Sequence, residues 1–426
     1  MDDLSDLIPR FDLRGMDLQL DRMDAALHEL NHPCRTIPAI QVLGTNGKGS
    51  IVSFLESALC AAGLRCGVTT SPHLVSWCER IRIQGSPIAI ETLRSRLQAL
   101  QPLNERHRLT PFELLVTAAL LEFHRHACEL LVLEVGLGGR LDATTAHPCR
   151  PVVAVASIGM DHCEHLGHSL TAIATEKAAA IPPQATVISG AQAPEVQEVL
   201  ETTCRTQQAT LHWVKPLNSS WQLGLPGAIQ RSNAAVALGA LQALSGLGWS
   251  LPEAVIQEGF ATAHWPGRLQ TVHWGVHTLR LDGAHNPPAA VQLAEERSQW
   301  SGACNGVVWI LAIQAHKDAV AMLQTLLQPQ DQAWIIPVPS HRSWSRSALL
   351  QDLPQFEHQL QEADGLESVL HQLSSNGWPT PMPIVAGSLY LIGDLFARGV
   401  VTAECCLLYT SPSPRDVEES RMPSSA

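Results

Sequence analysis

Short apolar runs alternate with segments of helical spacing along most of this chain, and this alternation limits its fold more than any other feature. A short apolar run rich in β-branched side chains is typical of a strand buried on both faces. Such strands lie in parallel sheets, where a helix crosses over from one strand to the next. The predicted strands of the first half are residues 37–43, 130–135, 152–158 and 185–189, and the predicted helices are residues 50–62, 111–125 and 169–181. We therefore expect an α/β protein with a mainly parallel sheet.

A second strand–helix series begins after Trp265-Pro266-Gly267, where proline and glycine interrupt the periodicity. Its predicted strands are residues 277–281, 307–313, 333–338 and 383–386, and its predicted helices are residues 288–299 and 317–328. A chain of 426 residues is long enough for two or three domains, each with its own core. We expect a larger domain over residues 1–266 and a smaller one over 267–401. Residues 402–426 lose both periodicity and apolar content, and we predict that they are a non-native or disordered tail.

The composition excludes several classes of protein. The 28 Lys and Arg residues against 40 Asp and Glu give a net charge of −12, which disfavours binding to a nucleic-acid backbone. No apolar run approaches the ~18 residues that a membrane-spanning helix needs. The N-terminus is acidic and amphipathic, unlike a secretory signal. Eleven scattered cysteines without CxxC pairs fit free thiols better than a disulfide framework. We predict a cytoplasmic protein that binds neither nucleic acid nor a membrane.

A glycine-rich segment, Gly44-Thr-Asn-Gly-Lys-Gly-Ser50, joins the first predicted strand to the first predicted helix. Glycines let backbone N–H groups turn toward phosphate oxygens, and the N-terminus of a helix favours negative charge. Lys48 would reach the outer phosphates, and Ser50 would offer a hydroxyl. The spacing departs from the common G-x-x-x-x-G-K-[ST] form, because the first glycine is three residues before Gly47 and Gly49 follows the lysine. The strand–loop–helix context favours a phosphate-binding loop over the alternative, an ordinary glycine-rich turn.

Glu134 is the one carboxylate in an otherwise apolar predicted strand. A lone carboxylate on a buried strand is costly unless it is paired or bound to a cation. Next to a phosphate loop, Mg²⁺ bound to a nucleotide is one such partner. Local N–H groups or the guanidinium of Arg140 are the alternative.

Two further residues, His162 and Lys177, are candidates for the same site. His162 comes after the predicted strand at 152–158, at the edge where open α/β sheets bind ligands. A zinc cluster of His162 with Cys163 and the histidines that follow is an alternative, but no matching second half exists in the sequence. Lys177 lies on a predicted helix with an apolar face; it is either a snorkelling surface lysine or a buried amine whose pKa is lowered by burial and a nearby cation.

Several motifs follow one another along the chain. Besides the phosphate loop they are Thr70-Ser-Pro-His-Leu74, Glu79-Arg-Ile81, Leu109-Thr-Pro-Phe-Glu113, Leu133-Glu-Val-Gly-Leu-Gly-Gly-Arg-Leu-Asp-Ala-Thr144, Asp161-His162, Glu176-Lys177, Pro266-Gly-Arg268, Leu281-Asp-Gly-Ala-His-Asn-Pro287 and Gly387-Ser-Leu-Tyr390. In this order they resemble the folylpolyglutamate synthase/dihydrofolate synthase family of the Mur ligase superfamily. The resemblance covers roughly residues 10 to 400. It implies an N-terminal P-loop ATPase domain and a smaller C-terminal Rossmann-like ligase domain.

The resemblance also implies a role for individual residues. ATP would be bound by Gly44, Thr45, Asn46, Gly47, Lys48, Gly49 and Ser50, together with Asn233, Arg268 and Asp282. Ser71 and Glu134 match ligands of one Mg²⁺, and His162 and Lys177 match ligands of a second. Lys177 would be carbamylated, which turns a cation into an anionic oxygen ligand. Phe112 and Asp142 match positions near the pterin. Lys48, Lys177, Asp282 and His285 would be catalytic, the last two organising the incoming glutamate and the reaction centre.

The activity implied is an ADP-forming ligation that adds L-glutamate to dihydropteroate and then to folates through an acyl phosphate. One alternative is that only one of the two activities is present. A second is a Mur-type cell-wall amino-acid ligase, whose extra domain before the phosphate loop would not fit into 43 residues. A third is a non-catalytic ATPase, which the presence of Arg268, Asp282 and His285 disfavours. The resemblance further implies ATP and two Mg²⁺ ions as cofactors, small-molecule substrates and a monomer.

Overall fold

The computed structural model describes residues 4–9 and 19–403 and divides the chain into two units. The first unit contains the residues up to Arg268, together with Asn286–Ser298 and Ala321–Leu326. The second contains Leu269–His285, Gln299–Val320 and the residues from Leu327 onward. In the described ranges, no helix has the length and apolar character needed to cross a membrane.

The first unit is built on an eight-stranded sheet with the order β4-β3-β2-β5-β1-β6-β7-β8. The strands are β1 Ala39–Leu43, β2 Cys66–Thr69, β3 Ile81–Ile83, β4 Ser86–Pro87, β5 Leu130–Glu134, β6 Val152–Val155, β7 Thr186–Ser189 and β8 Thr210–Trp213. β3 is antiparallel to β2 and β4, and every other neighbouring pair is parallel. The prediction of a mainly parallel sheet is confirmed, and the four predicted strands correspond to β1, β5, β6 and β7.

The helices follow the strand–helix alternation of the sequence. Up to residue 268 they are α1 Asp21–Glu29, α2 Lys48–Ala61, α3 Ile90–His107, α4 Pro111–Arg125, α5 Cys163–Leu166, α6 Leu170–Ala178, α7 Pro194–Thr206, α8 Ile229–Ala243 and α9 Glu253–Thr262. α4 begins where the sequence predicts it, because Thr110 and Glu113 form a capping box and Pro111 occupies the first turn.

The central strands are buried on both faces, which explains their continuous apolar character. Successive side chains of β5 enter opposite cores: Leu131 and Leu133 pack on the side of α3 and α4, whereas Leu130 and Val132 pack on the side of α2, α8 and α9. The interior positions of β5 therefore favour apolar side chains, and Glu134 is the last residue of this strand.

The second unit contains a seven-stranded sheet with the order β13-β12-β11-β14-β10-β9-β15. Its strands are β9 Gln270–Trp274, β10 His277–Leu281, β11 Val308–Leu311, β12 Gln332–Ile335, β13 Leu360–Glu362, β14 Ile384–Ala386 and β15 Thr402–Ala403. β9 is antiparallel to β10 and β15, and the remaining pairs are parallel. The predicted strands correspond to β10, β11, β12 and β14. The helices of this half of the sequence are α10 Pro287–Glu296, α11 Ala319–Leu326, α12 Arg346–Asp352, α13 Leu366–Asn376 and α14 Leu389–Ala397.

The segment predicted to be a non-native or disordered tail begins within the last strand. Thr402 and Ala403 pair with His273 and Val272 of β9. Residues 404–426 lie outside the described residues, so the prediction for them stays a prediction.

Candidate active site

The predicted phosphate loop connects β1 to α2, as the sequence indicates. Gly47 has φ +94, a left-handed conformation that glycine adopts without strain. Within the described structure no side chain caps the N-terminus of α2, so its first N–H groups are available to an anion. The far side of the loop is held by the residues after β6: the N–H of Thr45 donates to the carbonyl of Ser157 (2.7 Å), and its hydroxyl lies 3.1 Å from both the carbonyl and the N–H of Gly159.

The three glycines of the loop each allow a distant element to approach. A Cβ at Gly44 would come within 2.7 Å of the first residue after β6. At Gly47 it would meet Oδ1 of Asn233 on α8 at 2.5 Å, and at Gly49 it would meet Cε2 and Nε1 of Trp265 at 2.8 Å. The extra glycine between Lys48 and Ser50 therefore has a steric cause, since the Trp265 indole occupies the space of a side chain.

Two lysines converge on one carbonyl of the loop. Nζ of Lys48 donates to the carbonyl oxygens of Gly44 (3.2 Å) and Thr45 (3.1 Å), and Nζ of Lys177 donates to that of Gly44 (2.9 Å). Lys177 is buried on α6 with 5% of its surface exposed, so the snorkelling alternative is wrong. Burial, aided by repulsion from Lys48, lowers the pKa of Lys177 to about 7, and burial also lowers the pKa of Lys48. When they are protonated, these two amines make the position favourable for an anion.

Glu134 lies at the end of β5, and 4% of its surface is exposed. The N–H of Ser71 donates to its Oε2 (3.0 Å). Burial raises the pKa of Glu134, while Lys48 and then the Ser71 N–H oppose the shift. Arg140, the alternative partner, instead pairs with Glu176 on α6 at 3.1 Å. In the part of the chain that the structure describes, no arginine is bonded to this carboxylate, which lies beside the phosphate loop and Ser71 and therefore suits a cation site.

His162 follows β6 in a left-handed conformation with φ +51 and precedes α5. Its Nε2 lies 3.8 Å from Oδ2 of Asp161, and its Nδ1 lies 3.9 Å from Oε1 of Glu164. Among the residues that the structure describes, no three or more His, Cys, Asp or Glu side chains converge to hold a metal by themselves. A Mg²⁺ that is bound through phosphates needs only one or two protein ligands.

Asp142 and Phe112 flank the turn after β5. Oδ2 of Asp142 accepts from the N–H groups of Gly136 (2.9 Å) and Leu137 (3.1 Å), and Oδ1 accepts from the N–H (2.9 Å) and hydroxyl (2.6 Å) of Thr144. A Cβ at Gly136 would lie 2.7 Å from the tip of the Phe112 ring. The structure therefore brings the two residues together at Gly136, with Asp142 ordering the turn and Phe112 covering it.

Three polar residues form a network that the sequence did not single out as a unit. The amide of Asn286 bonds reciprocally with that of Asn46 (2.9 and 3.1 Å) and donates to Oδ2 of Asp161 (2.7 Å). Asn286 also caps α10 by accepting from the N–H of Ala289 (2.9 Å). An asparagine directly before two prolines is typical of a helix N-cap, and this pattern could have predicted the capping role of Asn286 from the sequence. The network holds a phosphate-loop side chain and the residue before His162 in one position.

The remaining predicted residues differ in their location. Arg268 is half-buried in the first unit, near enough to Lys48 and Glu134 to influence the pKa of both. Asp282 and His285 lie in the second unit. Asp282 accepts from the N–H groups of Leu269 (3.0 Å) and Ala284 (2.8 Å).

His285 follows Asp282 in the same turn. Its Nδ1 lies 2.7 Å from the carbonyl of Gly283. A carbonyl oxygen can only accept, so Nδ1 carries a hydrogen.

Comparison with known proteins gives a consistent result. Residues 269–398 match the family described as dihydrofolate synthetase, C-terminal domain. The chain is 30% identical to the dihydrofolate synthetase of Saccharomyces cerevisiae, over 89% of this chain and 97% of that protein. It is 32% identical to the dihydrofolate synthase/folylpolyglutamate synthase of Escherichia coli, over 80% and 82% of the two chains. The structure of the bifunctional enzyme from Yersinia pestis complexed with AMPPNP and Mn ion matches with a TM-score of 0.78 and 29% identity, over 90% and 94% of the two chains.

A phosphate loop with two convergent lysines and a buried carboxylate at the adjoining strand end describes a nucleotide-binding α/β protein. The chain belongs to the dihydrofolate synthase/folylpolyglutamate synthase family.

Proposed function

We propose that this chain is a cytoplasmic, monomeric ligase that uses ATP to add L-glutamate to dihydropteroate and to folates, releasing ADP and phosphate. The observation that carries the proposal is the convergence of Lys48 and Lys177 on the carbonyl of Gly44, with Glu134 at the neighbouring strand end. Relatives of similar length that carry both activity names support the choice of substrates.

The chemistry follows from the reactants. A carboxylate is a poor electrophile and an ammonium is no nucleophile, so they do not condense directly. A carboxylate oxygen of the folate or pteroate attacks the γ-phosphorus of ATP, ADP leaves, and an acyl phosphate forms. The neutral amine of glutamate then attacks the acyl carbon, the bond from that carbon to the phosphate oxygen breaks, and the nitrogen loses a proton as the amide forms and phosphate leaves. Lys48 and Arg268 offset the negative charge on the phosphoryl oxygens in both steps.

The residues present fit divalent ions bound together with the nucleotide. Oγ of Ser50 is buried with no hydrogen-bond partner in the described structure, and Glu134 is a buried carboxylate next to the loop. Ser71 and Glu134 would hold one Mg²⁺, and His162 with Lys177 would hold the second. When bound, the ions supply positive charge to the phosphoryl oxygens.

Lys177 would act as a metal ligand after carbamylation. With its pKa lowered to about 7, a large share of the amine is neutral at neutral pH. The neutral nitrogen forms a bond to the carbon of CO₂ and loses a proton, and the resulting carbamate is an anion beside the Lys48 ammonium. Electron density beyond Nζ in a crystal of the ATP–Mg²⁺ complex tests this step, and a bare amine there would contradict it.

The other predicted residues complete the assignment. Asn233, which touches Gly47, and Arg268 would contact the nucleotide. Phe112 and the turn ordered by Asp142 would contact the pterin. Asp282 and His285 would organise the incoming glutamate and the reaction centre.

A glutamate-dependent assay of ADP release tests the proposed function. The purified protein is assayed separately with dihydropteroate and with tetrahydrofolate monoglutamate, and we expect activity with both. Activity with one substrate alone would establish the monofunctional alternative. ADP release that does not depend on glutamate with either substrate would refute ligation.

A further inference from the structure

Two thiols outside the candidate active site lie in contact. Cys60 is in the last turn of α2, Cys66 is the first residue of β2, and their Sγ atoms are 3.8 Å apart. The turn between them is tight: the N–H of Gly63 donates to the carbonyl of Cys60 (2.9 Å), and that of Leu64 donates to the carbonyl of Leu59 (3.0 Å). These backbone bonds hold both thiols in place, so their proximity is built into the helix–strand connection.

The two thiols have unequal surroundings. Cys66 is completely buried, whereas Cys60 is half-buried. The hydrogen bond between the two thiols lowers the pKa of Cys60, and that bond together with burial raises the pKa of Cys66. A salt bridge between Glu56 and Arg82 (2.9 Å) lies close enough to influence Cys60. One sulfur is therefore suited to attack as a thiolate, and the other remains a thiol behind it.

We propose that Cys60 and Cys66 form a dithiol site for small hydroperoxides that closes into a disulfide. The Cys60 thiolate attacks one oxygen of hydrogen peroxide, the O–O bond breaks, and hydroxide leaves, which gives a sulfenic acid. The sulfur of Cys66 then attacks the sulfenic sulfur, the S–O bond breaks, and the hydroxyl leaves as water with the proton of the Cys66 thiol. The peroxide is reduced by two electrons as the dithiol is oxidised to the disulfide.

The site is separate from the nucleotide chemistry. Cys60 lies twelve residues after Lys48 on the same helix, which is roughly 18 Å along its axis. The proposed ligase reaction uses neither thiol. The outcome for the dithiol is therefore independent of the outcome of the ligase assay.

Peptide mapping of the full-length protein tests the proposal directly. The reduced protein is treated with hydrogen peroxide, the remaining thiols are alkylated, and trypsin is added without reduction. Trypsin cleaves after Lys48, Arg65 and Arg80, so Cys60 and Cys66 fall on different peptides, residues 49–65 and 66–80. We expect these two peptides to be joined, with a mass two hydrogens below their sum. Alkylation of both cysteines after peroxide, or sulfinic acid at Cys60 with alkylated Cys66, would overturn the proposal.

Three variants separate the roles of the sulfurs. Cys66→Ala should leave a sulfenic acid at Cys60 that dimedone traps, and Cys60→Ala should leave Cys66 unoxidised. Cys78→Ser is the matched control, because Cys78 is on the same tryptic peptide as Cys66 and the cross-link should persist without it. Loss of the cross-link in Cys78→Ser would show that the pairing is wrong. If an alanine variant fails to fold, the maps of the wild-type and Cys78→Ser proteins together still decide.

Discussion

Gly49→Ala tests whether the Trp265 indole fixes the phosphate loop. The new Cβ would lie 2.8 Å from Cε2 and Nε1 of Trp265 and 2.9 Å from its Cζ2. Normal contacts between carbon atoms are about 3.5–4.0 Å, so the ring or the loop must move by about 0.7 Å. Overpacking of this kind costs about 1–3 kcal/mol, and the higher helix propensity of alanine offsets at most about 1 kcal/mol. We expect a net cost of about 1–2 kcal/mol.

The cost should appear in nucleotide binding. Trp265 precedes Arg268 by three residues, and Gly49 adjoins Lys48, so a shift on either side displaces a residue that would contact phosphate. Because about 1.4 kcal/mol corresponds to a tenfold change in Kd, ADP affinity measured by calorimetry with Mg²⁺ should fall roughly tenfold. Gly246→Ala is the matched control, since its Cβ would meet nothing within 4 Å.

A double-mutant cycle isolates the contact. In the Trp265→Ala background the added methyl group has no ring to meet, so Gly49→Ala should cost at most a few tenths of a kcal/mol in ADP binding. The coupling energy between the two positions should then be about 1–2 kcal/mol. An equal loss of affinity in both backgrounds would refute the steric explanation of the extra glycine.

Further predictions concern single side chains. Lys177→Arg should abolish ligation while ADP still binds, because a guanidinium stays protonated and cannot form a carbamate; unchanged kcat would contradict the metal-ligand role. Glu134→Gln should weaken Mg²⁺ binding with ADP roughly 10–100-fold, measured by titration calorimetry. His285→Ala should abolish glutamate-dependent ADP release with nearly unchanged nucleotide affinity, and a loss of that affinity would show that its role is different. Burial lowers the pKa of His147 to about 4, so below its ordinary value near 6.5 the unfolded chain gains a proton that the folded one does not. As the pH falls from about 6.5 to about 4, this should remove about 3 kcal/mol of unfolding free energy. The unfolding free energy of His147→Gln, measured by urea denaturation, should lack that part of the pH dependence. The variant His168→Gln, at an exposed histidine, should retain it.

Much of the fold follows from local sequence patterns. β1, β5, β6 and β7 were predicted because continuous apolar runs between helical segments are typical of buried parallel strands, and α4 was predicted to begin at Pro111 from its periodicity. The antiparallel members of both sheets were not predicted. β3, β4, β9 and β15 are short, partly exposed or polar strands, so their hydrogen-bond partners and not their own composition define them.

Some features of the candidate site could likewise be predicted from the sequence, and others could not. The sequence alone determined the glycine-rich connection between β1 and α2 and the position of Glu134 at a strand end, because glycine, lysine and a lone carboxylate act through their own backbone conformation and charge. Only the tertiary structure decided that Arg140 pairs with Glu176, that Lys177 is buried against Gly44, and that Cys60 meets Cys66. These outcomes depend on which distant elements pack together, and a packed interior admits one set of neighbours that no local pattern encodes.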